Sequence, residues 1–566
     1  MMLAACAAMA VACTQDDALP GSAGGQQSGS SAQTSVLLST FDVAIDRQTA
    51  EPTDVAEEYF PDEEDMLEPD AFTTEVAIDL SNPEAKTENG VEVTVSGGHV
   101  TANHGSTKKV CYVVSGTTEN GSLTVLGDKK YAVRLEGASI TNPDSAALNL
   151  LSAGRAYIIL AAGTASTLAD GPGGSQKGCL YCKGKLIFGG GSGSLSVTAQ
   201  AANGIHSSDY IVLRAPGNIY VKSTAGHGIK GADGIFINGG ILNVEVSAAA
   251  AKGINSESHI VVRGGRTTVI ATGGGTYDTD DRKAKAAAAL KADSTLTVKA
   301  GELWLKSTGA GGKGISTDGE ISIGGGSLYI VTEGGQYKAS GDTSSPKGIK
   351  ADGNIDISGG RTWVRTSGYK GEGIETKNEL SITGGEVASY AYDDAINSKS
   401  TMTLTGGYVY AHGRTNDGLD ANGNCYIKGG TVYAICSGTP EVAIDANTEG
   451  GYKLYVEGGT IVAIGGLEQG ASLSQSCYRA SSWSAGTWYA LRAGDSTFAF
   501  LTPQSGGSGI VVSCALQPTL LSGVSQSGGT TLFGGIAISG GSTSGGSDIG
   551  LTSYTVTGGR PGGWKW

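Results

Sequence analysis

Between residues 373 and 430 the chain repeats one short pattern of apolar and polar positions. Each copy opens with a small residue and an aliphatic one (Gly373-Ile374, Ala395-Ile396, Gly418-Leu419), turns a polar corner, and then alternates into a Gly-Gly pair. A second alternating run follows, with Val387, then Val409 and Ala411, then Val432 and Ala434 on one face. Alternation at period two predicts strands, and Gly-Gly between two such runs predicts a sharp turn. A repeat of 22 to 25 residues holding two or three short strands predicts one coil of a β-solenoid. Leucine-rich repeats share the period but need a Leu and Asn ladder that is absent here.

The small-aliphatic anchor can be followed back through Gly348-Ile349, Gly314-Ile315, Ala289-Leu290, Gly253-Ile254, Gly228-Ile229, Gly204-Ile205 and Gly178-Cys179 to Ala147-Leu148, and forward to Ala443-Ile444. That predicts about a dozen coils of a parallel β-helix. Before each Gly-Gly stands an inward pair such as Ile355 and Ile357, Leu380 and Ile382, or Leu454 and Val456. Burying one aliphatic side chain is worth roughly 1.5 to 3 kcal/mol, so the columns outweigh the entropy of so many glycines only collectively. No single coil is expected to fold alone.

With 566 residues, 92 of them glycine, the chain reads as one elongated all-β body with appendages. The expected divisions are a leader at 1–13, an acidic flexible tether at 14–84, the solenoid at 85–466 and a Gly/Ser-rich β cap or small domain at 467–566. Two coils carry long insertions at the same point of the repeat, 272–287 and 333–346, so both loops are expected on one side of the body. A net charge of -15 argues against nucleic acid as a partner. An acidic surface that meets a polyanion needs a bridging cation, and calcium suits hard oxygen ligands.

The first residues form a short, Ala-rich apolar run ending at Cys13, too short to span a membrane. Small residues before Cys13 and Gln15, Asp16 and Asp17 after it are similar to a bacterial lipoprotein signal. The expectation is lipidation at Cys13 and anchoring to the outer membrane facing outward, with simple cleavage as the alternative. Cys179 and Cys182 form a lone C-x-x-C with no second pair to complete a zinc site. Cys477 and Cys514 could pair in an oxidising compartment.

Outward positions of the strand after each turn carry the candidate binding chemistry. Trp304, Tyr329 and Trp363 fall on successive coils and predict one aromatic ladder, with Tyr410 and Tyr433 forming another. Arg361 and Arg365 stand beside them. Exposed rings next to cations suit an acidic polysaccharide. Aromatic residues also favour strand surfaces and cover one another, which accounts for the same positions without a ligand.

The residues flanking the anchor are basic in one half of the ladder and acidic in the other. Like carboxylates stacked at strand spacing repel unless a cation lies between them. Asp393, Asp394, Asn397, Asp417, Asp420 and Asp445 are therefore expected as calcium ligands, although screened corner carboxylates need no metal.

The segments GIKADGNIDISGG, GIETKNELSITGG and the DDAINSK to NDGLDANG pair resemble a bacterial family of secreted carbohydrate-binding proteins. That resemblance covers roughly 91–466 and implies a right-handed parallel β-helix similar to pectate lyases, binding calcium and plant polysaccharides including polygalacturonate. The expected function is calcium-assisted binding of an acidic, pectin-type polysaccharide at the cell surface, by a monomer and without turnover. The alternatives are a calcium-dependent polysaccharide lyase, with Lys370, Lys377, Lys399 or Arg414 as candidate base, and a structural adhesin or stalk.

Overall fold

The computed structural model describes residues 38–46, 51, 55–66, 68–152 and 154–556, so Cys13 and the leader lie outside the described residues. From Thr74 onward the chain winds as an all-β solenoid with three strands to a typical coil. The anchor residues form the first face, a 15-stranded sheet that includes Lys347–Ala351 and Glu372–Thr376. The inward pairs before the Gly-Gly turns form the second face, and the strands after the turns form the third. Second and third faces share one 31-stranded sheet, because Ile260–Ala271 and Leu296–Ser307 run through the corner as single strands.

The predicted columns stack as parallel ladders. Ile349, Ile374, Ile396 and Leu419 pair in register on the first face, and Ile355, Leu380, Met402, Cys425 and Leu454 on the second. All are buried. The anchor begins with a small residue because a third-face side chain crosses the interior to meet it: a Cβ on Gly348 would lie 2.1 Å from Val364 Cγ1. At the turn, Gly360 has φ +71°, and a Cβ there would approach the Gly326 carbonyl oxygen to 2.5 Å. Backbone conformation and the adjoining coil both exclude a side chain.

The ladder extends further than the repeat suggests, since Val100 and Leu123 continue the anchor column ahead of Leu148. An antiparallel hairpin, Val91–Ser96 with Gly98–Asn103, closes that end. At the other end Ile510–Ser513 lies antiparallel on Thr460–Ile464. Both closures remove open edges that would otherwise recruit further strands. The two insertions form hairpins that meet, with Ala284 N–H donating to Asp342 Oδ2 at 2.7 Å, on one side as expected.

Three expectations are corrected. Leu180, not Cys179, anchors its coil, pairing with Leu148 and Ile205, while Cys179 fills the small slot beside it. Cys477 and Cys514 are free. Cys477 lies opposite Ser513, so Cys514 points to the other face of the same strand: one thiol enters the solenoid core and the other a separate core outside it. Finally, the described part of 14–84 is no free tether. Leu38, Phe41 and Val43 are buried against the third face, residues 55–66 and 68–72 lie along the second, and Thr74–Asp79 is already a solenoid strand pairing with Val110–Ser115.

The carboxy-terminal region builds a six-stranded antiparallel sheet whose Tyr489, Phe498, Phe500 and Leu520 pack on the third face. It is a small β domain laid against the solenoid wall.

Candidate functional site

The acidic corners converge on the first face. Asn397 pairs with Asp420 across neighbouring coils, and the bridges from Leu419 to Ile444 and from Ile444 to Leu467 carry the column on to Asp445 and Glu468. Carboxylate oxygens of Asp417, Asp420 and Asp445 lie within 4.8 Å of one another. Asn397 Nδ2 donates to Asp394 Oδ2 at 3.1 Å and to Asp420 Oδ2 at 2.8 Å. Backbone N–H groups of Asp417 and Val442 donate to Asp394 Oδ1 and Asp417 Oδ1 at 3.1 and 2.8 Å.

These bonds do not offset the burial. Burial pushes Asp417 up to about 8, with Glu441, Asp420 and Glu468 adding repulsion against the Val442 N–H. Asp420 rises to about 6 by burial, although Lys399 opposes it. Asp445 rises to about 10, through burial and a hydrogen bond shared with Glu468. Asp394 is held well above the carboxylate range by burial and then by Asp420, Glu372 and Asp417. Asn397, only 1% exposed, keeps an Oδ1 with no partner.

A cluster of oxygens that shed protons poorly, beside an orphaned amide oxygen, fits a hard cation. Asp417, Asp420 and Asp445 would be direct ligands, with Asn397 and Asp394 at the margin. Asp393 belongs elsewhere, because it faces Lys370 at 3.3 Å. Glu468, 3% exposed, is the member that repeat reading missed; its signal is Leu467-Glu468 continuing the column of Leu419-Asp420 and Ile444-Asp445.

The predicted aromatic ladder forms in register but does not face solvent. Trp304 stacks on Tyr329 at 3.8 Å, Trp363 follows edge-on at 5.6 Å, and Tyr410 meets Tyr433 at 5.4 Å. Trp304 is half-buried, whereas Tyr329, Trp363, Tyr410 and Tyr433 are buried under residues 38–46 and the carboxy-terminal sheet. Tyr433 Oη donates to the Leu501 carbonyl at 2.9 Å, and Trp363 Nε1 to Glu386 at 2.8 Å. Arg361 lies over Trp363 at 5.3 Å, and Arg365 pairs with Glu333 at 3.0 Å while donating to the Phe41 carbonyl. The expectation of exposed sugar-binding rings is corrected at Tyr329, Trp363, Tyr410 and Tyr433, with Trp304 left partly open at the ladder's end: large flat apolar surfaces attract cover, and this chain supplies it.

A partly exposed ring pair stands one face over. Tyr426 and Tyr455 occupy the outward position between inward residues of the second face and stack at 4.7 Å with an 11° interplanar angle. Exposed Lys428 lies 4.9 Å from the Tyr426 centroid. Their row continues to short side chains, Thr403 on one side and Ser472 on the other. The motifs YIKGG and YVEGG carried this signal in the sequence.

Residues 96–250 and 305–389 match the model of a family described as carbohydrate-binding domain-containing protein. No curated protein matches the chain. Among solved structures, the polysaccharide lyase-like protein from C. thermocellum, as a gadolinium derivative, is 23% identical, with 46% of this chain and 94% of that chain covered at a TM-score of 0.33.

Proposed function

We propose that the protein binds an acidic polysaccharide of the polyuronate type without turning it over, with calcium held at the acidic corner. The observation that carries the reading is the Tyr426–Tyr455 pair beside Lys428: flat rings suit the apolar faces of sugars, and an adjacent cation suits a uronate carboxylate. The match of two solenoid segments to a carbohydrate-binding family supports the ligand class. Calcium at Asp417, Asp420 and Asp445 would stiffen the coils or bridge uronates. A lipid on Cys13 would place this surface outside the outer membrane.

The lyase alternative needs an unprotonated base near the carboxylates. Lys370 is instead held above its usual range by Asp393, against the effect of burial. Lys377 pairs with Asp352 at 3.0 Å, Lys399 stands 3.9 Å from Glu375, and Arg414 lies over Tyr392.

The test is incubation of the purified protein with polygalacturonate, with and without calcium, following retention and the absorbance of unsaturated products. Retention without new absorbance is expected, and Tyr426→Ala with Tyr455→Ala should weaken it while leaving thermal stability nearly unchanged. Calcium-dependent absorbance would make the protein a lyase. No retention on any acidic glycan would overturn the reading.

A further inference from the structure

The second face carries a row of cations that calcium and the tyrosine pair leave unexplained. Lys130, Arg155 and Lys185 each precede a second-face strand, and Tyr131, Ala156 and Leu186 pair in register, so the three cations stand on successive coils. Neighbouring strands lie about 4.8 Å apart, and such a stack repels itself unless anions lie against it. Here the anions come from the chain's own Glu58, Asp62, Glu64, Asp65 and Glu68. Glu64 pairs with Lys130 at 3.0 Å, and Arg155 holds Asp62, Glu64 at 2.5 Å and Asp65 at 2.8 Å. Asp62 also faces Lys185 at 3.7 Å, and Glu68 and Glu58 reach Arg214 at 3.0 and 3.8 Å.

Aromatic rings interleave with these charges. Lys185 lies over Tyr210 at 5.1 Å, and Arg214 over Phe60 at 5.0 Å. The segment lies on the face much as a ligand would. It adds no strand to the second-face ladder, and the side chains of Glu58, Asp62, Glu64 and Glu68 stay 40 to 66% exposed while their carboxylates meet the row. Asp65, fully buried against Arg155 and Tyr210, ties it down together with Phe60 and Phe72 in the second-face core, the paired bonds between the Tyr59 backbone and the Asn238 amide, and Tyr157 Oη donating to the Glu64 carbonyl. It is therefore the charged side chains that lie on the surface as a ligand's would. All four cations lie within 96–250, which matches the carbohydrate-binding family model, whereas the acidic segment lies outside the match.

We propose that the row Lys130, Arg155 and Lys185, with Arg214 at the far end of the next strand, is a second binding surface for acidic polysaccharide, occupied in the free protein by the chain's own acidic segment. The segment's carboxylates stand where the carboxylates of a glycan would lie, so glycan and segment compete. The inference rests on the polysaccharide reading above for its ligand class, and on the ion pairs alone for its location.

The experiment uses the full chain carrying Glu58→Gln, Asp62→Asn, Glu64→Gln and Glu68→Gln, with Asp65 and Phe72 left to hold the segment's packing. Retention is measured on polygalacturonate and on dextran sulfate at low and high salt. Removing the internal competitor should tighten binding at least about tenfold, because a site closed most of the time binds in proportion to its open fraction. The gain should vanish at high salt and on adding Lys130→Ala and Lys185→Ala. If the fourfold variant loses thermal stability, Glu58→Gln with Glu68→Gln takes the two carboxylates away from Arg214 alone and should still tighten binding, by about threefold.

No gain on either polymer overturns the proposal, and wild-type retention through Tyr426 would then leave the first surface standing. A gain on dextran sulfate without retention of polygalacturonate by any variant supports the row and overturns the polyuronate reading instead.

Discussion

The two halves of the first face carry the same columns with opposite charge, and they deal with burial differently. In the basic half Lys252 Nζ donates to the Ala250 and Ala286 carbonyls at 2.6 and 2.5 Å, and Lys313 Nζ to the Gly311 carbonyl at 2.7 Å and to Ser344 Oγ. Burial brings Lys252 down to about 8 and Lys313 to about 7. A lysine at a coil corner can donate to backbone carbonyls, each of which has a second lone pair to offer. An ionised aspartate only accepts, and the coil's N–H groups are already engaged in the ladders. Only two of them turn to the carboxylates of Asp394 and Asp417. The same backbone therefore solves the problem for cations and leaves it open for anions.

Lys347 is the seam, bonded to Glu372 at 2.7 Å and Glu375 at 3.0 Å. Replacing it by Met should have the largest effect, a loss of about 3 to 5 kcal/mol in denaturant unfolding, because two buried carboxylates lose their counter-charge. A loss below about 1 kcal/mol would mean that the halves are independent.

Calcium removal comes next. A cation bound only by the folded chain stabilises it by about 2.7 kcal/mol at a hundredfold excess over its Kd, so chelation should lower the melting temperature of the wild type. Asp417→Asn with Asp420→Asn should abolish that response while leaving the basic half intact. A wild type indifferent to chelation would remove calcium from the corner.

The pH dependence sharpens the contrast. Asp420, Asp417 and Asp445 are raised to about 6, 8 and 10 in the folded chain. Groups raised on folding contribute stability at low pH, below their unfolded values near 4, and lose it as pH climbs through the folded ones. Cation-free protein should therefore melt lower at about pH 8.5 than at about pH 5.5, and added calcium should restore more at the higher pH. The Asp417→Asn, Asp420→Asn variant should flatten both trends. The smallest effect is expected at Lys313→Met, within about 1 kcal/mol, since burial already lowers that lysine to about 7 and no buried carboxylate depends on it as Glu372 and Glu375 depend on Lys347.

Much of this was legible in the sequence because a solenoid is a nearest-neighbour structure. Period-two alternation, the small-aliphatic anchor and the Gly-Gly turn each state a local geometry, and stacking repeats it. Asp417, Asp420 and Asp445 could be brought together on paper, because residues at one point of the repeat must lie side by side. The error at Cys179 came from a coil whose anchor is shifted by one residue, so that the small slot is filled by a thiol. Trp363 and Tyr433 were placed in the right ladder, yet nothing in the repeat tells which outward ladder another part of the chain will cover.

The sequence by itself determined the coil, its three faces, the columns that fill it and the change of charge along the corner, because all follow from periodicity and side-chain chemistry. Only the tertiary structure decided what lies on the outside of the coil. The carboxy-terminal sheet and residues 38–46 cover the aromatic ladder, the acidic segment lies on the cation row, and Tyr426 with Tyr455 stays partly open. Those contacts join residues far apart in the chain, 66 positions for Lys130 with Glu64 and 324 for Arg365 with Phe41, by apolar area and charge, quantities that no local pattern encodes.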